Sequence, residues 1–203
     1  MFKVIATLPL YRKYRHDVAD HPLVDELRFN TITPLDEDIS KVLDGLIRLA
    51  NGKPLWLDLK TRQLRITEFD YIPYSYVIIS HHISVKTPCK MLLKDSEAVI
   101  EKVVDGNKLI LSRPNRIAGK GEPINIPHPS LNIEGFLTDR DREYIRAFKQ
   151  RGQHKYMISF VHDKSDFLEV LNEDPDAEII GKIEDQKGLE FVRGEYRHLW
   201  PAC

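Results

Sequence analysis

Ile179-Ile180-Gly181-Lys182-Ile183-Glu184-Asp185-Gln186-Lys187-Gly188-Leu189-Glu190-Phe191 is the stretch from which the fold is read. An apolar entry of Ala177, Ile179 and Ile180 leads into Lys182 and Glu184, which alternate with Gly181, Ile183 and Asp185. Side chains two apart along a strand share a face, so this spacing sets a cation beside an anion. From Gln186 to Tyr196 the spacing turns helical, with Leu189 and Val192 on one side. The charged pair thus stands at the carboxyl end of a strand and just before a helix, where α/β architectures bind their ligands. The same Lys-x-Glu spacing also describes an exposed ladder pair on an edge strand, which contributes little.

Working outward, the rest of the chain alternates strand and helix on both sides of an all-β middle. Phe2 to Leu8 is apolar and closes at Pro9, as a buried strand would. Arg12, Lys13, Arg15 and His16 then cluster, which fits a solvated face or a phosphate site. Leu27-Arg28-Phe29-Asn30 puts Arg28 and Asn30 on one face of a second strand. Arginine at a strand end suits a phosphate, because its planar fork donates paired hydrogen bonds and stays charged. A helix is predicted over Pro34 to Asn51, capped by Thr33 and stopped at Asn51-Gly52. Pro54 to Lys60 follows as a third strand, whose one acid, Asp58, suits either a terminal cap or a cation ligand.

Between residues 67 and 122 short strand candidates replace the strand-helix alternation, with Asp105-Gly106 as a hairpin signal. Tyr71, Tyr74, Tyr76, His81 and His82 lie there, but neighbouring His81 and His82 face opposite sides of a strand and do not suit one metal ion. Gly119-Lys120-Gly121 reads as an exit hinge. Beyond it come a helix started at Thr138 with Asp139 and Asp141 in its first turn, a strand from Lys155 to Val161, and a helix capped by Ser165. The predicted domains are therefore a β/α part, residues 1–66 and 123–203, and an inserted β part, residues 67–122.

Thirty basic residues against thirty-one acidic ones leave a formal charge of −1 in 203 residues, which gives no electrostatic reason to expect nucleic acid or a membrane as partner. Cys89 and Cys203 lack metal or redox spacing and fit a reducing compartment. With no apolar run of spanning length and no signal peptide after Met1, the expected location is cytoplasmic.

The opening stretch resembles the Lys-Ile-Glu-Asn/Ser motif of pyruvate kinases, with Gln186 and Gly188 also in place. Arg28-Phe29-Asn30 resembles the family's Arg-Leu-Asn-Phe-Ser. Leu57-Asp58-Leu59-Lys60 resembles Leu-Asp-Thr-Lys-Gly-Pro, and Leu137-Thr138-Asp139-Arg140-Asp141 resembles Leu-Thr-Glu-Lys-Asp. The resemblance implies the first five strands of a TIM-type β/α barrel, with a lid domain inserted after the third. It implies phosphoryl transfer from phosphoenolpyruvate to ADP, giving pyruvate and ATP, with Mg2+ as cofactor and K+ as a second cation. Lys182 would neutralise charge between phosphoryl group and enolate, Arg28 and Lys60 would bind substrate, and Glu184 would bind Mg2+. Asn30 and Asp58 would contact the monovalent cation, whereas Ile32, Leu59, Thr61 and Arg62 replace the family's Ser, Thr, Gly and Pro.

The family's next strand, with its second magnesium ligand, has no counterpart before Cys203. The sequence is therefore expected to be a fragment, half of a split enzyme or a short paralogue, completed by the remaining barrel half or by a homo-oligomer. Two other functions fit the same residues: a non-catalytic chain that binds a phosphorylated metabolite or a partner, and a Mg2+-dependent pyruvate or phosphoenolpyruvate lyase.

Overall fold

The computed structural model describes residues 2–70, 74–115 and 119–195, so Tyr71, Tyr196 and Cys203 lie outside the described residues. In chain order the strands are Ile5–Thr7 (β1), Glu26–Asn30 (β2), Leu55–Leu59 (β3), Ile66–Phe69 (β4), Tyr74–Ile79 (β5) and Ile83–Ser84 (β6). They continue as Cys89–Leu92 (β7), Glu97–Val104 (β8), Lys108–Asn115 (β9), Asn132–Ile133 (β10), Lys155–Ile158 (β11) and Glu178–Gly181 (β12). The helices are Arg15–Asp20 (α1), Ile39–Ala50 (α2), Asp139–Lys149 (α3), Lys164–Glu173 (α4) and Gln186–Glu195 (α5). None is long and apolar enough to cross a membrane.

The chain divides into two compact units, Met1–Thr61 with Asp139–Cys203, and Arg62–Thr138. The first holds one sheet in the order β1-β2-β3-β11-β12, and every pairing in it is parallel. That is the connectivity of the first five strands of a β/α barrel, as the sequence predicts. The second unit holds the antiparallel sheet β4-β5-β9-β8-β7 around Ile66, Val77, Met91, Ile100 and Leu109. Its β8–β9 hairpin turns at Asp105 and Gly106, both with positive φ as a tight hairpin turn requires.

In the parallel sheet the period of two separates a packing face from a charged one. Leu27, Phe29, Leu55, Leu57, Leu59, Tyr156 and Ile158 are buried, as are Leu43 and Leu46 of α2 and Tyr144, Ile145 and Phe148 of α3. Phe29 lies 6.4 Å from Tyr144 and Phe148 lies 6.0 Å from Tyr156 between ring centroids, so α3 covers both β2 and β11. Each fully buried Leu or Phe contributes roughly 1.5–3 kcal/mol.

The alternate residues of the same strands carry polar groups. At the amino ends, Glu26 accepts from Trp56 Nε1 at 2.6 Å and from Lys3 Nζ at 2.7 Å, and Lys155 lies over the Trp56 ring and pairs with Glu178. At the carboxyl ends the charged residues of the motif collect.

Several boundaries differ from expectation. α2 starts at Ile39, because the Asp38 side chain reaches Ser40 N–H, and Thr33 and Pro34 fall in the preceding loop. Asn51, with φ +48°, ends it as predicted. Asp163, not Ser165, caps α4 and forms a reciprocal capping box with Asp166. β12 stops at Gly181, so Lys182 and Glu184 follow the strand instead of lying in it. Leu189 is exposed, not inward.

Asp174, at the amino ends of β11 and β12, is buried and accepts from Tyr156 Oη at 2.7 Å and pairs with His154 Nδ1 at 2.8 Å. Burial alone would raise its pKa, but the Tyr156 and His154 hydrogen bonds outweigh it and hold the carboxyl below its ordinary value. Glu26 behaves likewise: burial opposes ionisation, and the bonds from Lys3 and Trp56 prevail. Both carboxyls bind protons more tightly unfolded than folded. Their contribution is therefore complete above the unfolded pKa, at about 4, and is lost as pH falls through the lower folded values. The urea midpoint of the chain should hold from pH 7 to about 5 and drop below about 4. Asp174→Asn should lower the midpoint at pH 7 and flatten that drop; an unchanged acid slope in the variant would remove Asp174 from this role.

Candidate functional site

The carboxyl ends of β1, β2, β3, β11 and β12 place four charged side chains in one chain of contacts. Asp58, nearly fully buried at the end of β3, receives Arg28 Nε at 2.8 Å and a second contact from Arg28 Nη2. Its other oxygen receives Lys182 Nζ at 2.8 Å, and Lys182 Nζ lies 3.8 Å from Glu184 Oε1. The parallel register sets Arg28 two residues below the Asn30–Asp58 pair, which brings the guanidinium across to the Asp58 carboxylate. Arg28 Nη1 also donates to Thr7 Oγ1 at 2.8 Å, tying β1 to the same point.

Lys182 keeps its place although β12 has ended. Its N–H donates to Ile158 O at 2.8 Å, and its carbonyl accepts from Val161 N–H at 3.2 Å, so the ladder with β11 runs on past the strand. Glu184 Oε2 accepts from Phe160 N–H at 3.1 Å. Asp185 Oδ1 then accepts from Gly188 N–H at 2.9 Å in the first turn of α5, and Asp185 Oδ2 lies 2.7 Å from His162 Nε2. A Cβ on Gly188 would come within 2.6 Å of the Val161 carbonyl oxygen, so only glycine allows α5 to sit this close to the loop after β11.

The residues predicted from sequence divide here. Arg28, Asp58, Lys182 and Glu184 come together. Asn30 does not join them: its Oδ1 accepts from Ile32 N–H at 3.2 Å and closes its own turn. Lys60 stands two residues beyond Asp58, its main-chain N–H held by Asp141 Oδ1 at 2.9 Å. Asp141 also takes Thr61 N–H at 3.1 Å, and Ser159 Oγ donates to Leu59 O at 3.1 Å. Asp141, Thr61 and Ser159 were invisible as a group in sequence. An acid in a first helical turn is favoured by the helix dipole alone, and nothing local links positions 61, 141 and 159. Thr61 has φ +48°, a backbone that costs a non-glycine residue about 1–2 kcal/mol, so its bonds oppose a standing strain.

Elsewhere in this unit a cavity of about 670 Å³ opens between α1 and α2, lined by Tyr11, Arg15, Lys41, Leu46 and Arg48 among others and by none of the four charged residues. Among the described residues, His154, Asp174 and Asp176 are near enough to share an ion, but Asp174 is already held by Tyr156 and His154. His82 in the β unit lies 4.0 Å from Glu134.

No protein-family model matches the sequence. Curated relatives do. The chain is 26% identical to the pyruvate kinase of Borreliella burgdorferi over 94% of this chain and 46% of that one. It is 31% identical to that of Thermotoga maritima over 81% and 39%, and 25% identical to that of Thermoplasma acidophilum over 82% and 34%. Cryptosporidium parvum pyruvate kinase superposes on 94% of the chain with a TM-score of 0.66 at 15% identity, using 48% of its own length. A second structure of that enzyme, in complex with ADP, gives 0.68 over 94% of this chain and 46% of its own. The chain is similar to pyruvate kinases along most of its own length. It spans about half or less of the length of the pyruvate kinases it matches. The fold agreement with pyruvate kinase covers both the parallel sheet and the inserted antiparallel one.

Glu184 fits a magnesium ligand by its chemistry. It is a hard carboxylate oxygen donor, one oxygen is fixed by the Phe160 amide, and the side chain is partly exposed, which leaves room for the waters Mg2+ retains.

Proposed function

We propose that the chain supplies part of a pyruvate kinase site, in which phosphoenolpyruvate gives its phosphoryl group to ADP. The observation that carries this reading is the Asp58 carboxylate shared by Arg28 and Lys182, with Glu184 next to Lys182. Charge supports it. Arg28 and Lys182 against Asp58 and Glu184 sum to zero, whereas a phosphate ester bearing a carboxylate carries about −3 near pH 7. Such a ligand needs added positive charge, which a divalent cation on Glu184 and the Lys60 ammonium would provide. Mg2+ there would supply Lewis-acid neutralisation of the substrate's oxygens. In this arrangement Arg28 grips the phosphoryl group, and Lys182 can leave Asp58 to meet charge that develops on the enolate oxygen.

Asn30 and Asp58 stand where the resemblance puts the family's monovalent cation contacts, yet here Asn30 is turned to Ile32 N–H and Asp58 to two cationic side chains. With Ile32 and Leu59 offering no side-chain oxygen, phosphoryl transfer is expected to proceed without K+. Replacing K+ by tetramethylammonium should leave the rate unchanged; a rate restored only by K+ would return Asp58 to a cation-binding role.

A second reading has its own observation. Arg28 and Lys182 are already paired with Asp58, and Glu184 balances the charge that remains, which suits a chain that binds a phosphorylated metabolite without turning it over. A lactate dehydrogenase-coupled assay with phosphoenolpyruvate, ADP and Mg2+, on this chain together with any coding sequence that follows it, separates the two. Mg2+-dependent turnover supports the kinase. Saturable phosphoenolpyruvate binding without turnover supports the binder, and neither result would abandon both.

A further inference from the structure

Two residues other than glycine turn left-handed at the carboxyl ends of the site strands: Thr61 after β3, with φ +48°, and Phe160 after β11, with φ +51°. β-Branched residues rarely adopt that backbone, and the motif resembled by Asp58 to Arg62 has glycine where Thr61 stands. Thr61 is fully buried, and its N–H and hydroxyl are both used. The N–H donates to Asp141 Oδ2 at 3.1 Å, and Oγ1 donates to the Ser159 carbonyl at 2.5 Å.

That carbonyl and the Phe160 N–H belong to one peptide plane, which resonance keeps rigid. Its N–H donates to Glu184 Oε2 at 3.1 Å. One edge of the plane is thus set by the Thr61 hydroxyl and the other edge holds the Glu184 carboxylate. Asp141, 1% exposed, anchors Thr61 from the first turn of α3 and takes Lys60 N–H with its second oxygen. Ser159 Oγ to Leu59 O at 3.1 Å ties the same two strand ends again.

We infer that Thr61 and Asp141 are positioning residues for the divalent cation. They orient the Ser159–Phe160 peptide, whose N–H fixes one oxygen of Glu184 and aims the other at the ion. This rests on the reading of Glu184 as the metal ligand. Outer groups that orient a ligating carboxylate reduce what binding must still order, and their removal typically weakens metal affinity 10- to 100-fold. The threonine in place of glycine is thereby explained: a glycine would relieve the backbone and leave the Ser159 carbonyl without its hydroxyl.

The test is a Mn2+ titration of the 203-residue chain followed by the EPR signal of free Mn2+, with a melting curve for every variant. Thr61→Gly deletes the hydroxyl and the backbone strain together, so the fold is kept; its dissociation constant should rise about tenfold. Thr61→Ser retains the hydroxyl and should restore wild-type binding. Wild-type Mn2+ affinity in Thr61→Gly, alongside a loss in Glu184→Gln, would overturn the positioning role and leave the metal site standing. Wild-type affinity in Glu184→Gln would overturn both.

Discussion

Replacing Lys182 by methionine is expected to lower the proposed turnover of phosphoenolpyruvate with ADP by about 10²–10³-fold. The reason lies in where the ammonium sits before the reaction: 2.8 Å from Asp58 and 3.8 Å from Glu184, between the group that holds Arg28 and the group proposed to hold the metal. In the proposed transfer, negative charge would grow on the enolate oxygen as the phosphoryl group departs. A cation that is one side-chain rotation away stabilises that charge more than it stabilises the bound substrate, so its loss falls mainly on kcat. Methionine is close to lysine in length and keeps an apolar stem, and the main-chain bonds of residue 182 to Ile158 and Val161 do not depend on its side chain. Lys182→Arg should recover part of the binding but little of the turnover, because a planar fork does not reproduce a point charge. Equal kcat in wild type and Lys182→Met would remove Lys182 from the chemistry and leave only its pairing with Asp58.

The Lys182–Glu184 pair was legible because alternation and a following helix are local signals, although the strand itself ends at Gly181, one residue before Lys182. The order of the five parallel strands came from the family resemblance instead, since local periodicity does not say which strands adjoin. Caps were less legible. Asp36, Glu37 and Asp38 all precede α2, and only the geometry shows that Asp38 reaches the Ser40 N–H. Asp141 was read as a first-turn acid, which it is, but its role as the buried acceptor of two amides 80 and 81 positions away was not visible. The amino-end group of Lys3, Glu26, Trp56 and Lys155 escaped notice too, since strands that adjoin only in the folded sheet bring it together.

Deleting the Asp58 carboxylate is expected to have the largest effect on stability. Arg28 and Lys182 are each less than one-third exposed, and Asp58 is the anion that lies between them. Asp58→Ala leaves two like charges facing one another over a small void. Removing one partner of a buried pair costs about 3–5 kcal/mol; the partial exposure of both cations lets their long stems swing outward, which brings the expected loss to about 2–3 kcal/mol. Asp58→Asn keeps the shape and one acceptor and should lose about half as much. Salt distinguishes charge from packing. Raising NaCl from 0.1 to about 1 M shortens the screening length from about 10 to 3 Å, so the urea midpoint of Asp58→Ala should recover toward wild type while that of a plain cavity variant such as Leu57→Ala should not. A loss in Asp58→Ala that is indifferent to salt would mean that Asp58 fills space at the end of β3, and the electrostatic account of the site would fail with it.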